Sequence, residues 1–196
     1  MRLNLGCGFN KPDGFVHVDM FKECQPDVVH DLETFPYPFE ENSVDEILFN
    51  HSLEHIGQQP NIFLKIMQEI YRICRDEALI QINVPHPRHD NFLSDPTHVR
   101  AITPMTLQLF DLELNKQWQQ IKAANSPFAI YLEVNFKLLS TNISVEQTYI
   151  DQVNQNKISI EELKVLIGER NNVATDYQFT LKVIKNVKPE SRNTDR

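Results

Sequence analysis

Gly6 and Gly8 follow the apolar run Leu3-Asn4-Leu5, and a Gly-x-Gly turn after a buried strand lets backbone N–H groups approach a ligand with no Cβ in the way. By itself such a turn is as often a simple chain reversal. Asp19 closes the next apolar run, where a carboxylate can accept hydrogen bonds from both hydroxyls of a ribose. Asp31 follows a third run and precedes apolar Leu32. An acceptor beside an apolar wall suits an adenine ring and its exocyclic amine. Taken singly, either aspartate is more often a turn former or cap. At the carboxyl ends of consecutive strands of one sheet they converge on a single crevice.

Proton chemistry has its own candidates. Five of the seven histidines lie between residues 51 and 98, namely His51, His55, His86, His89 and His98. Imidazole serves as a base near neutral pH, and His51, His55, His86 and His98 are the candidate catalytic residues. If a helix begins after Asn50, spacings of three and four place His51, Glu54 and His55 on one helical face. With His98 they make a candidate set for a divalent metal ion. The competing reading has these side chains capping a helix and bonding backbone. Arg88 and Arg100 could grip a carboxylate or phosphate of an acceptor in two-point fashion.

The elements that must position these residues alternate between the two periodicities. Strands are expected at 3–5, 15–19, 27–31, 46–50 and 78–84. Between the last two, 60–75 is helical, with Ile62, Ile66 and Ile70 repeating every four residues beside Phe63, Met67 and Tyr71. Thr103-Pro104 supplies a cap and a first-turn proline for a helix reaching about Gln117. Two further strands, within 131–143 and 177–187, flank a helical stretch over 145–167 that is interrupted near 154–157. They would extend the sheet as an antiparallel pair. Only Gly6–Gly14 separates the first two strands, too few for the usual helical crossover but enough for extended chain or a single helical turn. One domain is expected over 1–187, with a cofactor half at about 1–85, acceptor or cap elements at about 86–130 and C-terminal strands at about 131–187. The polar tail 188–196 is expected to be disordered.

The stretches LNLGCGFNKPDGFVHVD and DLETFPYPFEENSVDEILFNHSLEHI resemble small class I S-adenosylmethionine-dependent methyltransferases of the type 11 group. The resemblance spans about residues 2–112. It implies an α/β, Rossmann-like, doubly wound and mostly parallel seven-stranded sheet with an antiparallel last strand, and S-adenosyl-L-methionine as cofactor. On it, Gly6 and Gly8 line the methionine part, Asp19 holds the ribose, Asp31 with Leu32 frames the adenine, and Asn50 sits near the methionine moiety. Leu5, Cys7, Met20 and His51 complete the expected cofactor-binding set. Two departures stand out: Asn10 replaces the usual third glycine, and Asp76-Glu77 replaces a glycine pair before the fifth strand. The His51-x-x-Glu54-His55 pattern is also similar to the Glu-x-x-Glu-His element of metal-assisted O-methyltransferases. His51 there takes the place of the first glutamate, and His98 resembles the distal histidine.

Composition bounds the partners. With 27 acidic and 19 basic residues the net charge is −8, which disfavours nonspecific nucleic-acid binding without excluding it. Cys7, Cys24 and Cys74 are too few and scattered for a disulfide framework or a thiolate metal site. No apolar run approaches the roughly 20 residues that span a bilayer. The first residues read as strand and not as a signal peptide, so no membrane partner and a cytoplasmic location are expected. The expected function is methyl transfer to an acceptor the sequence does not identify, with a small metabolite or O-nucleophile favoured. The alternatives are a noncatalytic scaffold of the same fold and an NAD-type oxidoreductase. Against the latter, Gly-x-x-Gly spacing after Gly8 and a long helix start for a pyrophosphate are both missing.

Overall fold

Seven strands form one sheet in the computed structural model, which describes residues 1–185. In chain order they are β1 Arg2–Leu5, β2 Val16–Asp19, β3 Val28–Val29, β4 Val44–Asn50, β5 Cys74–Pro85, β6 Phe136–Val145 and β7 Ala174–Val183. The spatial order is β3-β2-β1-β4-β5-β7-β6, with β1 to β5 parallel and β7 antiparallel to both its neighbours. This is the expected Rossmann-like arrangement, with the late pair added at one edge. The order reverses between β1 and β4, and in open α/β sheets a crevice opens at the carboxyl ends of the strands at such a switch point. The tail expected at 188–196 lies outside the described residues.

The helices are α1 Pro60–Ile73, α2 Asp90–Leu93, α3 Pro104–Gln108, α4 Leu112–Gln120, α5 Phe128–Leu132, α6 Gln147–Asn154 and α7 Ile160–Glu169. Among them α1 does most to hold the sheet. Proline at its start presets the backbone, and Phe63, Ile66, Met67, Ile70 and Ile73 are buried along one stripe. Each such side chain contributes about 1.5–3 kcal/mol on burial. The helix stops two residues earlier than the sequence suggests because Cys74 is already extended and paired with Val44. An irregularity then precedes Leu79, and Glu77 turns through φ 64°. Glu77, at the place where the resemblance leads one to expect glycine, thus adopts a left-handed backbone and carries strain of about 1–2 kcal/mol.

Two expectations in the second half need correction. The single helix from Thr103 to Gln117 is two helices. Thr103 and Thr106 form the cap of α3, but Asp111 accepts from the Leu114 N–H and starts α4 afresh. A short acidic side chain offers the backbone a local partner that competes with helix continuation, and the break drives Phe110 into the core. Tyr131 and Leu132, read as the start of a strand, belong to α5. The expected break in 145–167 does separate α6 from α7, whose start is fixed by a reciprocal Ser159–Glu162 cap. No helix among the described residues is long and apolar enough to cross a membrane.

No α-helix precedes α1, so the connections from β1 to β4 are turns and extended chain, with one 3-10 turn at Lys22–Cys24. The consequence is a sheet with one packed face. Leu3, Leu5, Val18, Ile47, Phe49, Ile80, Ile82 and Leu181 enter a single apolar core beneath α1. Their alternates Arg2, Leu79, Gln81 and Gln178 are exposed. Parallel strands usually bury both faces; these alternate like half-buried strands.

Candidate functional site

The chain turns as soon as β1 ends, with Gly6 at φ 68° and Gly8 at φ 48°. The two glycines do different work. A Cβ on Gly6 would lie 2.5 Å from the Ser52 Cβ, and the Ser52 hydroxyl donates to the Leu5 carbonyl at 2.7 Å. Gly6 therefore lets the ends of β1 and β4 close on each other. A Cβ on Gly8 would meet no protein atom within 4 Å. The Gly8 N–H donates to Asp19 Oδ2 at 2.8 Å, and the Phe21 N–H donates to Asp19 Oδ1 at 2.8 Å. Two backbone donors fix the carboxylate, and each oxygen keeps lone-pair capacity for a further donor.

A cavity of about 330 Å³ brings together Gly6, Gly8, Asp19, Met20, Asp31, Leu32 and His51. Leu5, Cys7 and Asn50, also expected there, do not line it. Leu5 is wholly in the core, Cys7 is buried with its thiol toward the Gly8 carbonyl, and Asn50 accepts from the Asn83 amide at 2.9 Å. Asp31 also accepts the Glu33 N–H at 2.9 Å, so its turn-forming role is real as well. The sequence reading missed His30, Ser52 and Ile56 on the cavity wall. Ser52 carries no signal in the sequence, because its contact with Gly6 joins the ends of two strands far apart in the chain.

The helix expected after Asn50 does not form. His51 itself has φ 52°, and Leu53–His55 make only a 3-10 turn. A left-handed residue at the first position cannot start an α-helix, so His51, Glu54 and His55 do not share a helical face. His51 Nδ1 lies 3.6 Å from Glu54 Oε1, and its Nε2 lies 3.2 Å from Asn83 Nδ2 and 3.8 Å from Asp176 Oδ1. The Glu54 carboxylate holds the imidazole above its ordinary pKa, with burial opposing and Asp176 adding to the rise.

The remaining candidates separate into two places. His86 is buried outside the cavity, with its ring centroid 4.7 Å from that of Tyr177 and its Nδ1 accepting from the Arg88 N–H. His89 caps α2 and reaches Glu146 at 3.0 Å. Arg88 donates to the Ile167 and Gly168 carbonyls at 2.6 Å, capping the end of α7. Arg100 donates to the Gly57 carbonyl and lies over the Phe63 ring. Both arginines are thus engaged in holding the fold. His55 and His98 meet, with ring centroids 4.5 Å apart. One ligand-capable atom from each of Glu54, His55 and His98 lies within 4.8 Å of the others, and His51 stands outside this group.

No family profile and no curated protein matches the sequence. Solved structures do match the fold. A SAM-dependent methyltransferase from Archaeoglobus fulgidus shares 20% identity over 92% of this chain and 85% of its own, with a TM-score of 0.57. A SAM-dependent methyltransferase from Methanosarcina mazei shares 11% identity over 93% and 92%, with a TM-score of 0.54. The cyclase SpnF shares 11% identity over 93% and 75%, with a TM-score of 0.53. The fold by itself therefore does not select one reaction. The strand order, the antiparallel β7 and these likenesses together show that the chain has the fold of class I S-adenosylmethionine-dependent methyltransferases.

Proposed function

We propose that the chain transfers a methyl group from S-adenosylmethionine to a small metabolite or other O-nucleophile. The observation that carries this reading is the convergence of Gly8, Asp19, Asp31, Leu32 and His51 on one cavity at the β1/β4 switch point. The residues fit such a cofactor. The space in front of Gly8 is open, Asp19 is fixed by two backbone donors with lone pairs to spare, and Leu32 provides an apolar wall. When bound, the cofactor supplies an electrophilic methyl on a sulfonium.

The protein's part is mainly placement, since holding the acceptor in line supplies much of the rate of a displacement. His51 sits on the cavity wall with Nε2 beside the Asn83 amide and the Asp176 carboxylate. In its neutral form it takes the proton that an acceptor hydroxyl sheds as its oxygen bonds to the methyl carbon. Ser52 and Gly6 keep β1 and β4 close enough for these groups to face one space.

Calorimetric titration with S-adenosylmethionine and S-adenosylhomocysteine tests the reading, beside Asp19→Ala and an NAD control. Binding of both cofactor forms, weakened about tenfold or more in the variant and absent for NAD, supports it. Absence of binding by either form would favour a noncatalytic scaffold instead.

A further inference from the structure

Glu54 is 1% exposed, and neither carboxylate oxygen has a hydrogen-bond partner. A buried carboxylate left this way is strongly penalised unless a cation meets it. His51 Nδ1 is 3.6 Å from Oε1, within ion-pair range but beyond hydrogen-bond length, and it approaches only that one oxygen. Arg100 does not serve, since its guanidinium is directed to the Gly57 carbonyl and the Phe63 ring.

The two histidines beside Glu54 have their tautomers set by their outer partners. His98 Nδ1 lies 2.9 Å from the Phe92 carbonyl, which can only accept, so Nδ1 carries the proton. His55 Nδ1 lies 2.8 Å from the Thr97 hydroxyl. That hydroxyl spends its own proton on Asp95 Oδ1 at 2.6 Å, so it too must accept. Each neutral ring is therefore left with a lone pair on Nε2. One ligand-capable atom from each ring and one Glu54 oxygen lie within 4.8 Å of one another, and on these tautomers the free lone pair of each ring is the one on Nε2. Histidine rings anchored through Nδ1 to a carbonyl or hydroxyl are the usual outer support of a metal ligand.

The second cluster of this kind, Cys7, Asp19 and Cys24, lacks that property. Both Asp19 oxygens take backbone N–H groups, and the Cys24 thiol donates to the Phe21 carbonyl.

We infer that Glu54, His55 and His98 hold one divalent transition ion of the Zn²⁺ type. Two nitrogens and one carboxylate oxygen suit a borderline ion better than Mg²⁺ or Ca²⁺, and three protein ligands leave a position open. His55 also lines the cofactor cavity, so the ion sits at its wall. Asp95, whose Oδ2 is 3.8 Å from His98 Nε2, adds negative charge nearby. The inference goes beyond methyl transfer and does not depend on it.

The test uses the full chain without a histidine tag, stripped by chelator and titrated with Zn²⁺ and Co²⁺ in the absence of cofactor. One ion per chain is expected by calorimetry and elemental analysis, with Co²⁺ giving the visible absorption of a low-coordinate site. Zn²⁺ binding is lost in Glu54→Gln and His98→Gln, weakened about 10–100-fold in Thr97→Val and unchanged in His86→Gln. No stoichiometric ion in the wild type would overturn the inference. Equal binding by a folded His98→Gln would overturn it too. Should the ligand variants fail to fold, the wild-type stoichiometry and the Thr97→Val affinity decide.

Discussion

Asp19 Oδ2 accepts the Gly8 N–H at 2.8 Å, tying the carboxylate at the end of β2 to the glycine turn after β1. The two features read from the sequence as separate signals are one hydrogen-bonded unit. Asp19→Asn puts an amide where both oxygens now accept backbone N–H groups, and one contact becomes donor against donor. S-adenosylhomocysteine affinity is expected to fall about tenfold or more, with a stability loss of about 1–3 kcal/mol. Calorimetry and urea denaturation read the two effects separately.

The two glycines of the turn should respond differently to alanine. Gly6→Ala adds a clash with Ser52 to left-handed strain, so stability drops by more than the about 1–2 kcal/mol that the backbone alone requires. Gly8→Ala meets no protein atom and keeps to that smaller loss, while its methyl intrudes on the cofactor space. Denaturation midpoints should therefore rank Gly6→Ala as the less stable, and calorimetry should show a clear binding defect for Gly8→Ala. Equal stability of the two would contradict the close approach at Ser52.

Burial, with Arg88 and His89 adding, depresses the pKa of His86 in the folded chain. Below about pH 6.5 the unfolded chain binds a proton that the folded one resists. Stability is thus present above that pH and lost as the pH falls toward the folded value. His86→Gln should flatten this decline when urea denaturation is compared at pH 5.5 and pH 7.5. An unchanged slope would mean that another group dominates the acid limb.

Cys7 is pushed up to about 12 by burial, then by Cys24 and Asp19, and burial likewise carries Cys74 to about 12. Near neutral pH both therefore stay as thiols, and the thiolate is the reactive form. Iodoacetamide should leave both unmodified in the native protein and label both in urea, as mass spectrometry of the peptides will show. Rapid native labelling of Cys7 would reveal that the glycine turn opens.

The fold was legible wherever a periodic pattern coincided with a boundary signal. Pro60 and the four-residue spacing of Ile62, Ile66 and Ile70 locate α1 well, and the short Gly6–Gly14 connection correctly argues against the usual first crossover helix. The helix from Thr103 was legible at its start and not at its break. Asp111 is a poor helix former and a favoured cap, but so are other polar residues of the stretch, and only its bond to the Leu114 N–H marks where the chain breaks.

At the site, Gly8, Asp19 and Asp31 could be found because strand ends are visible in the sequence. The histidines could not be sorted in the same way. The sequence places His51, Glu54, His55 and His98 in one candidate set, whereas the left-handed turn at His51 sets that residue apart and leaves Glu54 and His55 with His98, more than forty positions away. Long-range closure of that kind depends on how 95–100 returns to the end of β4, through the Val99 and Arg100 N–H bonds to the Glu54 carbonyl.

A sheet packed on one face has two sets of rules for change. Ile80, Ile82 and Leu181 are fully buried, and trimming any of them to alanine removes about 2–5 kcal/mol. Gln81 and Gln178, between them on the same strands, face solvent, and polar exchanges there fall within about 0.5 kcal/mol. In a parallel sheet covered on both sides, nearly every strand position is constrained at once. Here exposed alternates such as Arg2, Gln81 and Gln178 are open to change, with buried Asn4 the exception, so the chemistry of that outer wall can be rewritten while the cavity at the strand ends stays in register.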